Sequence, residues 1–303
     1  MARATAFVDR ALCDEGGRPV GLIGLFESED DAESAGAVLS AAKDWLREQG
    51  AAAVFAPVSF SIWHSYRFRT QGHDETPYYG EPYNPKYYPE LFAQCGLEPV
   101  QGYGVSSLDE KAIRALVEKD RPRFEKSRAE GFTYRRIDRA RFGQELDLIY
   151  RLVVPNYRHF LAWTEISLEE FRSLYERLGR ICDPELIQIA YAPDGQPAGV
   201  VIALPDLAAP IRALRGRASL AGMIRFAWRR RRMRRFIVSN VSVLDKFKGR
   251  GIGNALMHIA HIRAVQRGYR AALHGPSSVD NLSTKLHGGD YFERQYTLYR
   301  ATL

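Results

Sequence analysis

Between Val241 and Leu256 the chain reads Val-Ser-Val-Leu-Asp-Lys-Phe-Lys-Gly-Arg-Gly-Ile-Gly-Asn-Ala-Leu. A β-branched apolar run enters a turn with glycines at 249, 251 and 253, then leaves into a segment of helical periodicity. Glycine lets backbone N–H groups close in on a ligand, and the first-turn amides of a helix have no partner within it. Added to the positive end of the helix dipole, these amides make a receptor for phosphate oxygens. Lys248 and Arg250 contribute full charges beside it. Spacing excludes two better-known phosphate loops. A dinucleotide fold needs G-x-G-x-x-G with an acid about 20 residues on, and a nucleotide P-loop ends in Gly-Lys-Ser/Thr.

The next residue equipped for chemistry is His274, at the end of a predicted strand, whose imidazole titrates near neutrality and suits a general base. The alternative is a hydrogen-bonded structural histidine. Cys13, Cys95 and Cys182 are odd in number, far apart and without C-x-x-C spacing, so no zinc site, no other metal site and no redox dithiol is expected. They read as reduced thiols of a cytoplasmic protein.

The elements that must position these residues follow from periodicity. A buried strand is predicted over 18–27, a helix over 37–50 stopped by Gly50, and a second strand over 51–58. A Tyr-, Pro- and Gly-rich loop (59–89) and a short helix (89–96) follow. The polar run 108–130, interrupted by Pro122, predicts a linker helix. Beyond it come a strand (132–137), a helix (142–154), a helix capped by Ser167, and a hairpin of 186–191 and 197–204 turned at Asp194-Gly195. A basic helix (221–235), a strand (236–244), the glycine turn, a helix (251–268), a strand (270–274), a short helix from Asn281 and a strand near 296–299 complete the order.

The predicted class is α/β, or α+β, with a mixed central sheet. Three hundred and three residues allow one large domain or two ordinary ones, and 46 % hydrophobic with 26 % charged residues is ordinary globular composition. No run approaches the ~18 apolar residues that cross a bilayer, and the acidic N-terminus does not resemble a secretory leader. The net charge of +7 is unevenly distributed. Residues 1–110 hold 8 Lys and Arg against 17 Asp and Glu, whereas 111–303 hold 35 against 19, which favours an anionic partner for the later part.

The glycine turn resembles the acyl-CoA pyrophosphate loop of the GCN5-related N-acetyltransferases, Gln/Arg-x-x-Gly-x-Gly/Ala. Here the pattern is Lys248-x-x-Gly251-x-Gly253, with lysine in the first position. The order of elements from Phe132 to Tyr299, with Asn281 after the strand that follows the loop helix, is also similar to that family. The resemblance implies an acyl-CoA co-substrate, acetyl-CoA in the first instance, contacting Val243, Leu244, Lys248, Gly249, Arg250, Gly251, Ile252, Gly253 and Asn281. It implies an amine acceptor and an oxyanion held by a backbone N–H near Val243 or Leu244. The family's thiolate-protonating tyrosine would fall near Gly288, which leaves Tyr291 as the neighbouring candidate and an acid-free mechanism as the alternative. Residues 1–110 resemble a second, degenerate and partial copy in a tandem arrangement, joined through 111–130 to an acyl-CoA unit at 131–303. Its loop position carries Glu27-Ser28-Glu29-Asp30-Asp31-Ala32-Glu33, whose carboxylates repel a pyrophosphate, so no acyl-CoA is expected there.

Asn156, Tyr157 and Trp163 occupy the stretch where that family recognises acceptors, the alternative being a loop packed on the first unit. The run Arg225–Arg235 carries seven arginines in eleven residues. As a solvated helix end it needs no partner. As a docking site, Arg229–Arg235 fits an acidic acyl-carrier protein or the nucleotide end of CoA ahead of nucleic acid, for which stacking aromatics are few, or a membrane surface. The expected function is acyl transfer from acyl-CoA to a small-molecule amine. The competitors are a carrier-protein donor or long acyl group, and a non-catalytic binder of acyl-CoA or nucleic acid.

Overall fold

The computed structural model describes residues 1–217, 219–279 and 292–303. The chain opens on an antiparallel pair, β1 (Ala2–Cys13) and β2 (Pro19–Ser28), turned where Asp14 Oδ1 accepts from the amides of Gly16 and Arg18. Helix α1 (Ala32–Glu48) carries the chain to β3 (Ala53–Ala56), which lies parallel to β2. Two short strands, β4 (Val58–Ser59) and β5 (Ser65–Tyr66), pair with each other. Next come β6 (Phe68–Gln71), α2 (Tyr88–Gln94), the long β7 (Glu98–Asp109) and α3 (Glu110–Ala129). The later part runs β8 (Thr133–Arg136), α4 (Phe142–Val153), α5 (Leu168–Tyr175), β9 (Ile187–Tyr191), β10 (Pro197–Pro205), α6 (Ala208–Arg212) and α7 (Leu220–Arg231). It ends with β11 (Arg235–Val243), α8 (Ile252–Gln266), β12 (Ala271–Ser278) and β13 (Arg294–Thr302).

Among the described residues one mixed sheet runs in the order β1-β2-β3-β13-β7-β12-β11-β10-β9-β8, with β6 also on β13. Its centre has an internal symmetry. The parallel unit β2–α1–β3 at one side matches the parallel unit β11–α8–β12 at the other. The strands between them are exchanged: β13, from the end of the chain, pairs with β3, and β7, from the earlier part, pairs with β12. The exchanged strands also pair with each other.

Strand alternation sorts side chains to two faces. Ile189, Val200, Ile237, Leu273, Tyr103 and Tyr296 pack on α4, α5 and the loop around Trp63 and Tyr66. Val201, Phe236, Val238 and Ala272 pack on α8 and on Ile113 of α3. Four strands depart from the sequence expectation: β5 and β6 lie in the stretch 59–89 expected to be a loop, and β1 and β7 stand where no strand is expected. β1 was not predicted, because half-exposed alanine-rich alternation carries little apolar signal. Nor was β7, whose Pro99, Gly102 and Gly104 break the pattern while Tyr103 and Val105 are buried. The predicted linker helix is a packed element. Ile113, Leu116 and Val117 of α3 are buried, and His258 Nδ1 of α8 lies 2.8 Å from the Val117 carbonyl.

Candidate functional site

The site forms where the sheet opens. β11 and β12 pair from Arg235↔Ala271 to Val238↔His274 and no further, so the rest of β11 bonds only to β10. At the opening the β10–β11 register slips between Ile202↔Asn240 and Ala203↔Val238, leaving Ser239 as the extra residue of a bulge. Amides of an antiparallel strand point alternately to either side. Leu244 N–H donates to Ala198 O at 3.0 Å, on the β10 side. The Val243 N–H, one residue earlier, therefore points into the opening. This corrects one of the two oxyanion candidates: the Leu244 amide is already bonded.

Beyond Val243 a single helical turn, Asp245–Phe247, leads to Lys248 and the glycines. Gly249 and Gly251 have φ of +78° and +76°, a conformation that costs any residue with a Cβ. Gly251 is the N-cap of α8, and no side chain caps that helix. Its first-turn amides open on a cavity of about 350 Å³ lined by Val243, Lys248, Gly249, Arg250, Gly251, Gly253 and, from α3, Arg123 and Lys126. The matching place in the earlier unit is chemically reversed. The Asp31 carboxylate accepts from the Glu33 and Ser34 amides, which fills the N-terminus of α1 with negative charge.

Carboxylates border the cavity. Lys248 Nζ is 2.6 Å from Asp245 Oδ1, and its hydrogen bond, with its charge, holds that carboxyl below the usual range. Arg250 pairs with Glu130 at 2.9 Å, and Lys126 lies 3.9 Å from the same carboxylate. Asp120, buried under α8, accepts from Asn254 Nδ2 at 2.8 Å. Burial pushes its carboxyl up, against the opposing pull of Asn254 and Arg123. Arg123 and Lys126 were missed from sequence because nothing there showed that α3 packs on α8.

On the opposite face the opening meets an aromatic wall. The Tyr157 ring lies 5.0 Å from Trp63 and 4.7 Å from Phe160. Tyr157 OH accepts from Asn240 Nδ2 at 2.9 Å, Asn240 Oδ1 accepts from Ser242, and burial raises the phenol's pKa. The Arg67 guanidinium lies 4.3, 4.6 and 5.7 Å from the rings of Tyr66, Tyr103 and Tyr296. Its Nε is sealed from solvent with no hydrogen-bond partner among the described residues. Trp163 packs half-buried against the same core. Asn156 does not face the wall through its amide group, since Nδ2 donates to Leu152 O at 2.9 Å and ends α4.

His274 lies on the other face of the sheet from this wall. It shares the α8 face with Ala272, is 3 % exposed, and its Nε2 lies 2.9 Å from Nε2 of His261, with the rings stacked at 4.9 Å. The aromatic wall is on the Leu273 face, so this imidazole packs against α8 and does not face that wall. Asn281 and Tyr291 lie outside the described residues. Among the described residues no group of three or more His, Cys, Asp and Glu is placed to hold a metal ion, and no helix is long and apolar enough to cross a membrane.

The architecture is that of the GCN5-related N-acetyltransferases. A protein of that class from Sphaerobacter thermophilus superposes with a TM-score of 0.52 at 14 % identity, covering 99 % of this chain and 76 % of its own. The glucosamine N-acetyltransferase region of a fungal multi-domain β-N-acetylglucosaminidase gives 0.51 at 15 %, covering 98 % of this chain and 31 % of its own. No family model matches the sequence. Among curated proteins, Protein YghO of Escherichia coli K12 is 23 % identical over 235 residues, 76 % of this chain and 58 % of its own length. The bacterial ceramide synthase of Caulobacter vibrioides is 26 % identical over 213 residues, 70 % of this chain and 55 % of its own. The chain thus spans little more than half the length of these curated relatives.

Proposed function

We propose that the protein is an N-acyltransferase that moves an acyl group from acyl-CoA to an amine. The observation that carries this is the convergence, at one opening in the sheet, of the outward Val243 amide, the uncapped N-terminus of α8 and four cations. In this proposal the pyrophosphate lies on the amides following Gly249 and Gly251, with Lys248, Arg250, Arg123 and Lys126 supplying charge. The pantetheine arm follows the open edge of β11 and brings the thioester carbonyl to the Val243 N–H. The amine nitrogen attacks the carbonyl carbon, Val243 N–H holds the developing oxyanion, and the C–S bond breaks as the carbonyl re-forms. The nitrogen gives up one proton and the departing thiolate gains one, which leaves an amide and CoA.

The acceptor is assigned to the wall formed by Trp63, Tyr66, Tyr103, Tyr157 and Trp163, with Asn240 and Arg67 as its polar groups. Trp63, Tyr66 and Arg67 come from the earlier unit, which gives that unit the task of shaping the acceptor side without holding CoA. A second reading, transfer of a long acyl group to a lipid-like amine, is favoured by the name of the Caulobacter relative, because a ceramide is the amide of a long-chain amino alcohol. Calorimetric titration with CoA, acetyl-CoA and decanoyl-CoA tests both. Micromolar binding that is lost in Lys248→Glu and Gly251→Asp is expected, and the preferred chain length separates the two readings. Unchanged affinity in both variants, with the fold intact, would remove the phosphate loop from the proposal.

A further inference from the structure

Between residues 207 and 244 the chain has ten arginines and no Asp or Glu. Among the described residues only Arg235 of these has a carboxylate within ion-pair range, Asp206 at 2.6 Å. Helix α7 stands at the centre of this segment and touches the body along one narrow stripe. Gly222 is buried, and Phe226 and Arg230 are half-buried, four residues apart. At 100° per residue, Leu220, Met223, Ile224, Ala227 and Trp228 fall on a separate arc about 140° wide. That arc faces solvent, with Leu220 81 % and Ile224 63 % exposed, and with Ile211 of the adjoining α6 also exposed. Arg225 lies beyond the Trp228 edge of the arc and Arg230 beside its Met223 edge, Arg231 falls within the arc at the last turn, and the Arg232 guanidinium sits 3.9 Å over the Trp228 ring.

An exposed apolar stripe carrying a tryptophan and flanked by arginines without a carboxylate partner among the described residues fits an interface that is apolar inside and anionic at its surface. We infer that α7 is an interfacial helix that seats the protein on an anionic phospholipid bilayer. The apolar arc enters the acyl-chain boundary, Trp228 lies at headgroup level, and the arginines reach lipid phosphates with their stems along the apolar layer. An acidic carrier protein would satisfy the arginines but leave the apolar arc without a purpose. The inference uses none of the acyl-CoA residues and stands or falls apart from the proposed activity.

Flotation of the full 303-residue chain with phosphatidylcholine vesicles, with and without phosphatidylglycerol, tests it. Binding that requires phosphatidylglycerol is expected, with a blue shift in tryptophan emission that disappears in Trp228→Phe. Leu220→Asp combined with Ile224→Asp should lower partitioning by at least ~tenfold, because two charges would enter the apolar layer. Its circular dichroism should not change, since both side chains lie in solvent. Equal partitioning of wild type and double variant would overturn the inference. So would failure to bind vesicles, whether the chain instead complexes an acidic acyl-carrier protein or forms a dimer that the double variant dissolves.

Discussion

Lys248 and Arg250 are each held by a carboxylate, Asp245 and Glu130, so an incoming pyrophosphate competes with the protein for its own cations. Solvent-exposed pairs of this kind are worth ~0–1 kcal/mol, less than charge-assisted bonds from several amides and two cations. Glu130→Gln and Asp245→Asn should therefore each tighten acyl-CoA binding, by up to about fivefold. Calorimetry showing equal or weaker binding would mean that these carboxylates do not compete. Asp120 supplies a pH signature. Burial raises its carboxyl above the ordinary aspartate range, so the folded state favours the protonated form. The stability it contributes is full below the unfolded value and is lost as pH climbs through the folded one. Asp120→Asn keeps an acceptor for Asn254 and should flatten that loss in denaturant titrations from pH 4 upward; an unchanged slope would place the titration elsewhere. The glycine loop was legible in the sequence because positive φ and the helix start are local properties. His274 was not, because its role depends on strand parity: Leu273 faces the aromatic wall, and the next residue faces α8. His274→Ala should lower stability while leaving the pH profile of turnover in place, and a flattened profile would restore it as a base.

At the scale of elements, the sheet opening exists because β11 is straight only as far as the bulge at Ser239 and then diverges from β12. The long buried helix α8 could be read from composition alone. What lay beyond reading was its partner. Helix α3 has a buried stripe at 113, 116, 117 and 120, which is helical spacing, but its polar majority and Pro122 concealed it. Packed on α8, it carries Arg123 and Lys126 to the phosphate cavity, so a core change in α3 should reach the site. Ile113 is fully buried, and Ile113→Ala should cost ~2–5 kcal/mol by denaturant unfolding. Any loss of acyl-CoA affinity in that variant would report the alignment of α3 with the loop. A loss of less than about 1 kcal/mol would show that α3 is the loosely attached linker that its composition implies.

For the whole molecule, the sequence division at 110 and 131 is a division of the chain and not of the sheet. Both strand–helix–strand units were legible because each is local, whereas the exchange of β7 and β13 between them is set by pairing across nearly two hundred residues, which no local pattern encodes. The exchange explains how a unit without a phosphate loop stays fixed to one that has it: β7 is bonded to β12 on one side and β13 to β3 on the other. It also fixes Trp63, Tyr66 and Tyr103 opposite Tyr157 without a flexible joint between them. A fragment of residues 1–110 keeps β3 and β7 but lacks β13 and β12, so the long β7 loses both of its partners and β3 has one edge left open. Expressed alone, it should show no cooperative thermal transition and should aggregate. Co-expression with 111–303 should yield a stable complex with the melting behaviour of the intact chain. A sharp, reversible transition in the isolated fragment would mean that the earlier unit folds on its own and that the exchanged strands only attach it.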